Sequence, residues 1–144
     1  MAKVPKKARK RRNGKRTSKA LFGLNDFTQA EKMEVKKVSL QSKLNSFDEY
    51  WAPKIVGELN NQQVKIAKLK GEFVMHKHDH EDELFYVIEG QLFIELIDKT
   101  LELNAGEFVI IPRGIEHKPF APEEVSGLLF EPATTLNTGV LTMK

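Results

Sequence analysis

All four histidines of this 144-residue chain fall in two short stretches. One reads His76-Lys77-His78-Asp79-His80-Glu81-Asp82-Glu83, the other Gly114-Ile115-Glu116-His117. In an extended strand, residues two apart project to the same face, so the imidazoles of His76 and His78 can converge on one ion. The polar residues 79–82 suit a turn, after which Glu83, at the start of a returning strand, can reach back across the hairpin toward the same point. Two nitrogens and one carboxylate make a facial set of ligands that suits iron(II), manganese, nickel, cobalt or zinc and leaves positions open for water or substrate. His117 offers a fourth ligand. The chain has no cysteine, which excludes disulfides, thiolate metal sites, iron–sulfur clusters and cysteine nucleophiles together.

The neighbours of these residues allow two readings each. His80 shares parity with His76 and His78, but the acidic residues around it point to solvent, as a turn residue or a group that supports a ligand. Glu81, Asp82 and Glu116 read as solvated charges, one of which could orient a ligand imidazole through its second nitrogen. Phe85, Tyr86, Phe93 and Phe108 either line a pocket or pack in a core. Lys77 and Arg113 either draw in an anionic carboxylate or phosphate or keep the surface soluble. No residue is singled out as a general base.

The elements that must position this set are short and β-like. From Asn61 onward, runs of four to seven apolar-rich residues alternate with turn residues. Val64, Ile66 and a shifted Leu69 alternate with Lys65, Lys68 and Lys70 before Gly71. Residues 84–89 and 91–97 flank Gly90, Leu101 and Leu103 precede Asn104-Ala105-Gly106, residues 108–111 precede Pro112-Arg113-Gly114, and residues 126–130 precede Pro132. This texture predicts an antiparallel sandwich or barrel and an all-β class. Ahead of it, Ser46 stands before acidic first-turn residues and Pro53 stops the run after Trp51, which predicts one helical turn over residues 46–51.

The segment Gly71 through His76-x-His78-x4-Glu83-x6-Gly90 resembles the first motif of the cupin superfamily, and Gly106-x5-Pro112-x-Gly114-x2-His117 resembles the second. Four residues separate Gly71 from His76 where the family has five, and Ala121 stands where the second motif ends in Asn. The likeness covers residues 52–137. Within the superfamily the chain is similar to the small mannose-6-phosphate isomerase-like cupins, in EDELFYVIEG, PRGIEHKP and LLFEPATTLNTG. The resemblance implies a jelly-roll barrel with one divalent transition metal held by His76, His78, Glu83 and His117. Cupins include dioxygenases, decarboxylases, isomerases, epimerases and plain binding proteins, so it implies no single reaction.

Charge divides the chain. The net charge is +3, but residues 1–32 hold eleven Lys or Arg against two acidic residues, while the remaining 112 hold twelve basic and eighteen acidic. Residues 1–32 read as a basic, disordered extension and residues 33–144 as the cupin domain, with an internal start at Met33 as an alternative. The basic run in residues 1–19 could bind nucleic acid through phosphate neutralisation, without interleaved aromatics to stack on bases. No apolar run nears the ~18 to 20 residues of a membrane span, and no apolar segment suits a secretory signal, so the expectation is a cytoplasmic protein. Open barrel edges predict a homodimer. The expected activity is a metal-dependent enzyme, of dioxygenase, isomerase or lyase type, acting on a small polar molecule; the alternatives are a non-catalytic sensor cupin and a scaffold whose tail binds nucleic acid.

Overall fold

The computed structural model describes Thr28 and residues 33–141. The expected basic extension, Thr28 apart, lies outside them. Among the described residues a short helix, α1 (Leu40–Leu44), precedes nine strands: β1 (Lys54–Leu59), β2 (Gln62–Glu72), β3 (His76–Lys77), β4 (Glu83–Glu89), β5 (Gln91–Glu95), β6 (Thr100–Asn104), β7 (Phe108–Ile111), β8 (Lys118–Pro132) and β9 (Val140–Leu141). All ladders are antiparallel. Seven strands form one sheet in the order β1-β2-β8-β4-β7, with β5 joined to β8 and to β6, while β3 and β9 pair separately. This is the all-β jelly-roll barrel that the alternation and the resemblance predicted.

Strand β8 is the spine. Its first residues, Lys118 to Phe120, pair with β5, and residues 126–130 pair with β4. β2 runs along the other edge with a register shift between Leu69 and Gly71, opposite residues 122–124 of β8. That irregularity bends both strands and turns one wall of the barrel into the next. Inside lies one cluster built from alternate residues, among them Leu69, Phe85, Val87, Ile94, Val125 and Leu129. Each such fully buried aliphatic or aromatic side chain contributes roughly 1.5 to 3 kcal/mol. Gly90 makes the turn from β4 to β5 at φ +92, and a Cβ there would stand 2.8 Å from the Glu124 carbonyl, so only glycine fits.

The sheet is longer and begins earlier than the sequence pattern indicated. β1 lies ahead of Asn61 and joins β2 through Asn60-Asn61, whose φ values of 48 and 63 make a two-residue turn of the kind that matches strand twist. Asparagine tolerates this left-handed backbone because its short side chain can bond locally. The helical turn expected over residues 46–51 is absent. α1 forms six residues earlier, where Ser39 caps it by accepting from the Ser42 amide at 3.2 Å. Tyr50 and Trp51 are instead drawn against β2: Tyr50 bridges Lys68, and the Trp51 amide donates to the Lys68 carbonyl at 3.0 Å. Sheet pairing thus outweighs a local helical signal.

The parity of β2 also differs from its simple alternation. Ile66 is buried on the outer face, whereas Gln63 and Lys65 point inward with Ala67 and Leu69. On that outer face two cross-strand rows lie side by side, Val64, Phe130, Leu84, Ile110 and Ile66, Leu128, Tyr86, Phe108. Phe108 and Ile110, on the edge strand β7, are the exposed end of this apolar surface. Among the described residues no helix is long and apolar enough to cross a membrane.

Candidate metal centre

Three backbone ladders bring the four predicted residues together. His76 and His117 exchange amide–carbonyl bonds of 3.0 and 2.8 Å, a reciprocal pair that sets their side chains next to each other. Two residues on, the Gly114 amide donates to the His78 carbonyl at 2.7 Å, which holds His78 on the same face. Glu83 arrives from elsewhere. It opens β4 and pairs with Ile111 on β7, so the expected hairpin between the histidine stretch and β4 does not form. β3 pairs with β9 instead, and the ligands converge from two sheets across the barrel interior rather than across one turn.

The four side chains are all buried, and one ligand atom from each lies within 4.8 Å of the others. Neighbouring ligands around a first-row ion with bonds of about 2.1 Å stand about 3 Å apart, and opposite ones about 4 Å, so this spread has the size of a coordination shell. Both His78 Nε2 and His117 Nε2 lie 3.2 Å from Glu83 Oε2. His76 Nδ1 meets the Val74 carbonyl and His117 Nδ1 the Ile115 carbonyl, each at 2.9 Å. A carbonyl can only accept, so each Nδ1 donates, and the Nε2 lone pairs of neutral rings are directed into the centre. His117 Nε2 and Glu83 Oε2 are then two acceptors facing one another, and they need a proton or a cation between them. His78 Nε2 is buried with no well-aligned hydrogen bond, an orphan of the kind a metal satisfies. By this test the residues fit a divalent ion.

Electrostatics point the same way. Burial drives His76 down to about 4, against the help of the Val74 carbonyl, so its ring is neutral at physiological pH. Burial opposes the charged form of His78 too, but hydrogen bonding and attraction to Glu83 outweigh it and leave the ring raised above its ordinary value. Burial also resists ionisation of Glu83, yet the imidazoles of His117 and His78, each with Nε2 3.2 Å from Glu83 Oε2, hold it down at about 2. The centre is therefore a fixed carboxylate surrounded by three imidazoles.

Of the carboxylates read as solvated charges, one of which could orient a ring, Asp82 and Glu81 make other contacts. Asp82 accepts from the Arg113 amide at 2.9 Å and pairs with its guanidinium, and Glu81 accepts from Thr134. Backbone carbonyls orient His76 and His117. His80 is exposed and outside the ligand group. Lys77 pairs with Asp79 at 3.2 Å and lines a surface groove rather than the centre. Of the four aromatics, Phe85 lines the pocket and stands edge-on to His117, Phe93 stacks on Phe120 at 5.1 Å, and Phe108 faces solvent.

Beside the centre opens a narrow, apolar-walled pocket whose enclosed part has room for about one water molecule. His76 and Glu83 form its polar floor; Trp51, Phe73, Phe85 and Leu129 form most of its wall. Among the described residues no lysine or arginine lines it. Sequence reasoning missed Trp51, whose signal was lost in the helical reading of its segment. It also missed a buried group behind Glu83: Lys65 Nζ bonds Glu131 Oε1 at 2.7 Å, and Glu131 lies within hydrogen-bonding reach of Glu83. Burial and the Glu83 charge push Glu131 up to about 7.

Comparison with known proteins agrees with this geometry. A family model described as "Cupin domain" matches residues 63–130. A cupin-2 domain containing protein from Shewanella frigidimarina is 42% identical in its crystal structure, with a TM-score of 0.65 over 66% of this chain and 93% of that one. An uncharacterized Bacillus subtilis protein, YdbB, is 41% identical over 64 residues, which are 44% of this chain and 57% of that protein. The acireductone dioxygenase of Yarrowia lipolytica is 28% identical over 103 residues, 67% of this chain and 57% of the enzyme. The chain thus spans 57% of the length of each of these curated relatives.

Proposed function

The chain belongs to the cupin superfamily, and from that premise we propose that it is a metal-dependent enzyme of the dioxygenase type acting on a small oxygen-bearing molecule. His76, His78, Glu83 and His117 hold one divalent transition metal. The observation that carries this reading is the set of acceptors facing one another around Glu83 Oε2, buried beside an apolar-walled pocket. The 28% identity to an acireductone dioxygenase supports the oxidative class over the isomerase and lyase classes. The described residues of the pocket wall favour an uncharged body over a sugar phosphate, which would need a cation to meet its charge.

A bound ion in such a site supplies Lewis-acid polarisation and open coordination positions for substrate oxygen atoms. The chain's own residues do the rest. Val74 and Ile115 fix the tautomers of His76 and His117, Glu83 supplies the one anionic ligand, and the apolar wall excludes bulk water from the reacting groups. The reading includes a homodimer formed across the outer face of β7 and β4, where Phe108 and Ile110 continue an apolar surface. It also includes the division into an extension of residues 1–32 and a domain of residues 33–144, and a cytoplasmic location, which cell fractionation checks.

The test is elemental analysis of untagged protein beside the double variant His76→Ala, His117→Ala. About one equivalent of metal in the wild type and a loss of tenfold or more in the variant are expected. Equal metal content in both sinks the proposal. Oxygen uptake by the metal-loaded protein over small hydroxy-ketones, phenols and carboxylates then tests the reaction class.

A further inference from the structure

Trp51 has a backbone that its type resists. Its φ is 57, in the left-handed region where a bulky non-glycine residue is strained. Three hydrogen bonds hold it there. Its amide donates to the Lys68 carbonyl at 3.0 Å, its indole nitrogen to the Lys70 carbonyl at 2.8 Å, and its own carbonyl accepts from Asn137 at 3.2 Å. The fixed indole stacks on Phe73, with ring centres 5.0 Å apart, and Phe73 meets His76 edge-on at 5.3 Å. Strain retained by three anchors, at a side chain that forms a wall of the pocket, is what a ligand-positioning role would require.

The chemistry of that wall is one-sided. Beyond the candidate ligands His76 and Glu83, the lining offers a single polar side chain, Asn137, which already donates to Trp51. Phe73, Phe85, Leu69 and Leu129 supply only apolar surface. A ligand here can place oxygen atoms on the ion, but the rest of its body meets carbon and aromatic edges. A charged or heavily hydroxylated body would lose its hydration without replacement, at a cost of a few kcal/mol for each unpaired group. The enclosed space is narrow, which limits that body to a compact one.

We infer that Trp51 is a specificity-determining residue, and that with Phe73 it selects a compact, uncharged, apolar-bodied ligand that chelates the ion through neighbouring oxygen atoms. This rests on the metal reading of the centre and names the substrate class for it. It also narrows the expectation of a small polar molecule.

The chain has one tryptophan, so its fluorescence reports this wall alone. Cobalt(II)-loaded full-length protein, kept under argon, is titrated with catechol and separately with oxalate. Both probes chelate through two oxygens, but only catechol carries an apolar ring. Visible cobalt bands follow the ion while Trp51 emission follows the wall. Catechol is expected to shift both signals with one midpoint, and oxalate the cobalt bands alone. In Trp51→Gly, where glycine relieves the backbone strain, catechol binding should weaken about tenfold and oxalate binding stay within twofold. Trp51→Phe should keep most of the catechol affinity. Catechol binding that leaves Trp51 emission unchanged overturns the inference in the wild type alone, whatever the variants do. So does a loss shared equally by catechol and oxalate, or an equal loss in the Phe and Gly variants. Absence of cobalt bands before any probe is added is a separate result, which overturns the metal reading and this inference with it.

Discussion

At the scale of single residues, the cluster of His76, His78, Glu83 and His117 was legible because a shared metal site would constrain both type and spacing. Two imidazoles at i and i+2, a glutamate five residues on and a histidine framed by Gly114 leave few other uses for those residues. What held them was not legible, since backbone carbonyls carry no side-chain signature. Gly139 is a second case. Its φ is +52, and a Cβ there would lie 2.3 Å from the Lys77 carbonyl and 2.9 Å from the His78 ring. Gly139→Ala should therefore push His78 out of place and weaken metal binding by tenfold or more, read by competition with a chromophoric chelator. Gly106→Ala is the control. It has a φ of +87 but open space around the new carbon, and should cost about 1 kcal/mol of stability with metal affinity unchanged.

At the scale of elements, apolar alternation located the long strands but could not assign the inward face of β2. Lys65 looked like an outward residue because lysine is rarely buried without a partner. Its partner, Glu131, lies sixty-six positions away, a distance over which one sequence shows no pairing. This pair ties β2 to β8 behind the centre, and removing one member leaves the other charge buried. Lys65→Met should destabilise the metal-free protein by about 3 kcal/mol at pH 8. The loss should shrink toward pH 5. Glu131 is raised from the ordinary 4.5 to about 7, so its contribution to stability is present below 4.5 and is lost as pH rises through 7. Lys65 limits that loss once Glu131 is ionised. Urea unfolding of both proteins across this range checks the sign, and a gap that widens on acidification would contradict it. β1 escaped notice for a different reason, because Asn60-Asn61 is a hairpin turn written without the glycine that usually announces one.

At the scale of the whole molecule, the barrel and its class followed from strand spacing and from the resemblance, both of which depend on many residues at once. The path of the chain between the walls did not. That path depends on the bend in β8 and on β9, whose two residues give no periodic signal. The outer face of β4 and β7 carries the proposed contact between two copies, and an exposed phenylalanine beside an exposed isoleucine on an edge strand is its most sensitive point. Phe108→Glu with Ile110→Lys should convert a dimer to a monomer by light scattering while leaving metal content unchanged. A wild type that is already monomeric at tens of micromolar would remove the homodimer from the reading.

The pairing of β3 with β9 has a consequence for biosynthesis. His76 is hydrogen-bonded on one side to His117 and laddered on the other to Leu141, sixty-five positions later in the chain. A ribosome delivers these segments in order, so the larger sheet can begin to zip while the last strand is still inside the exit tunnel. His76 therefore takes its full backbone setting only after β9 has paired, late in synthesis.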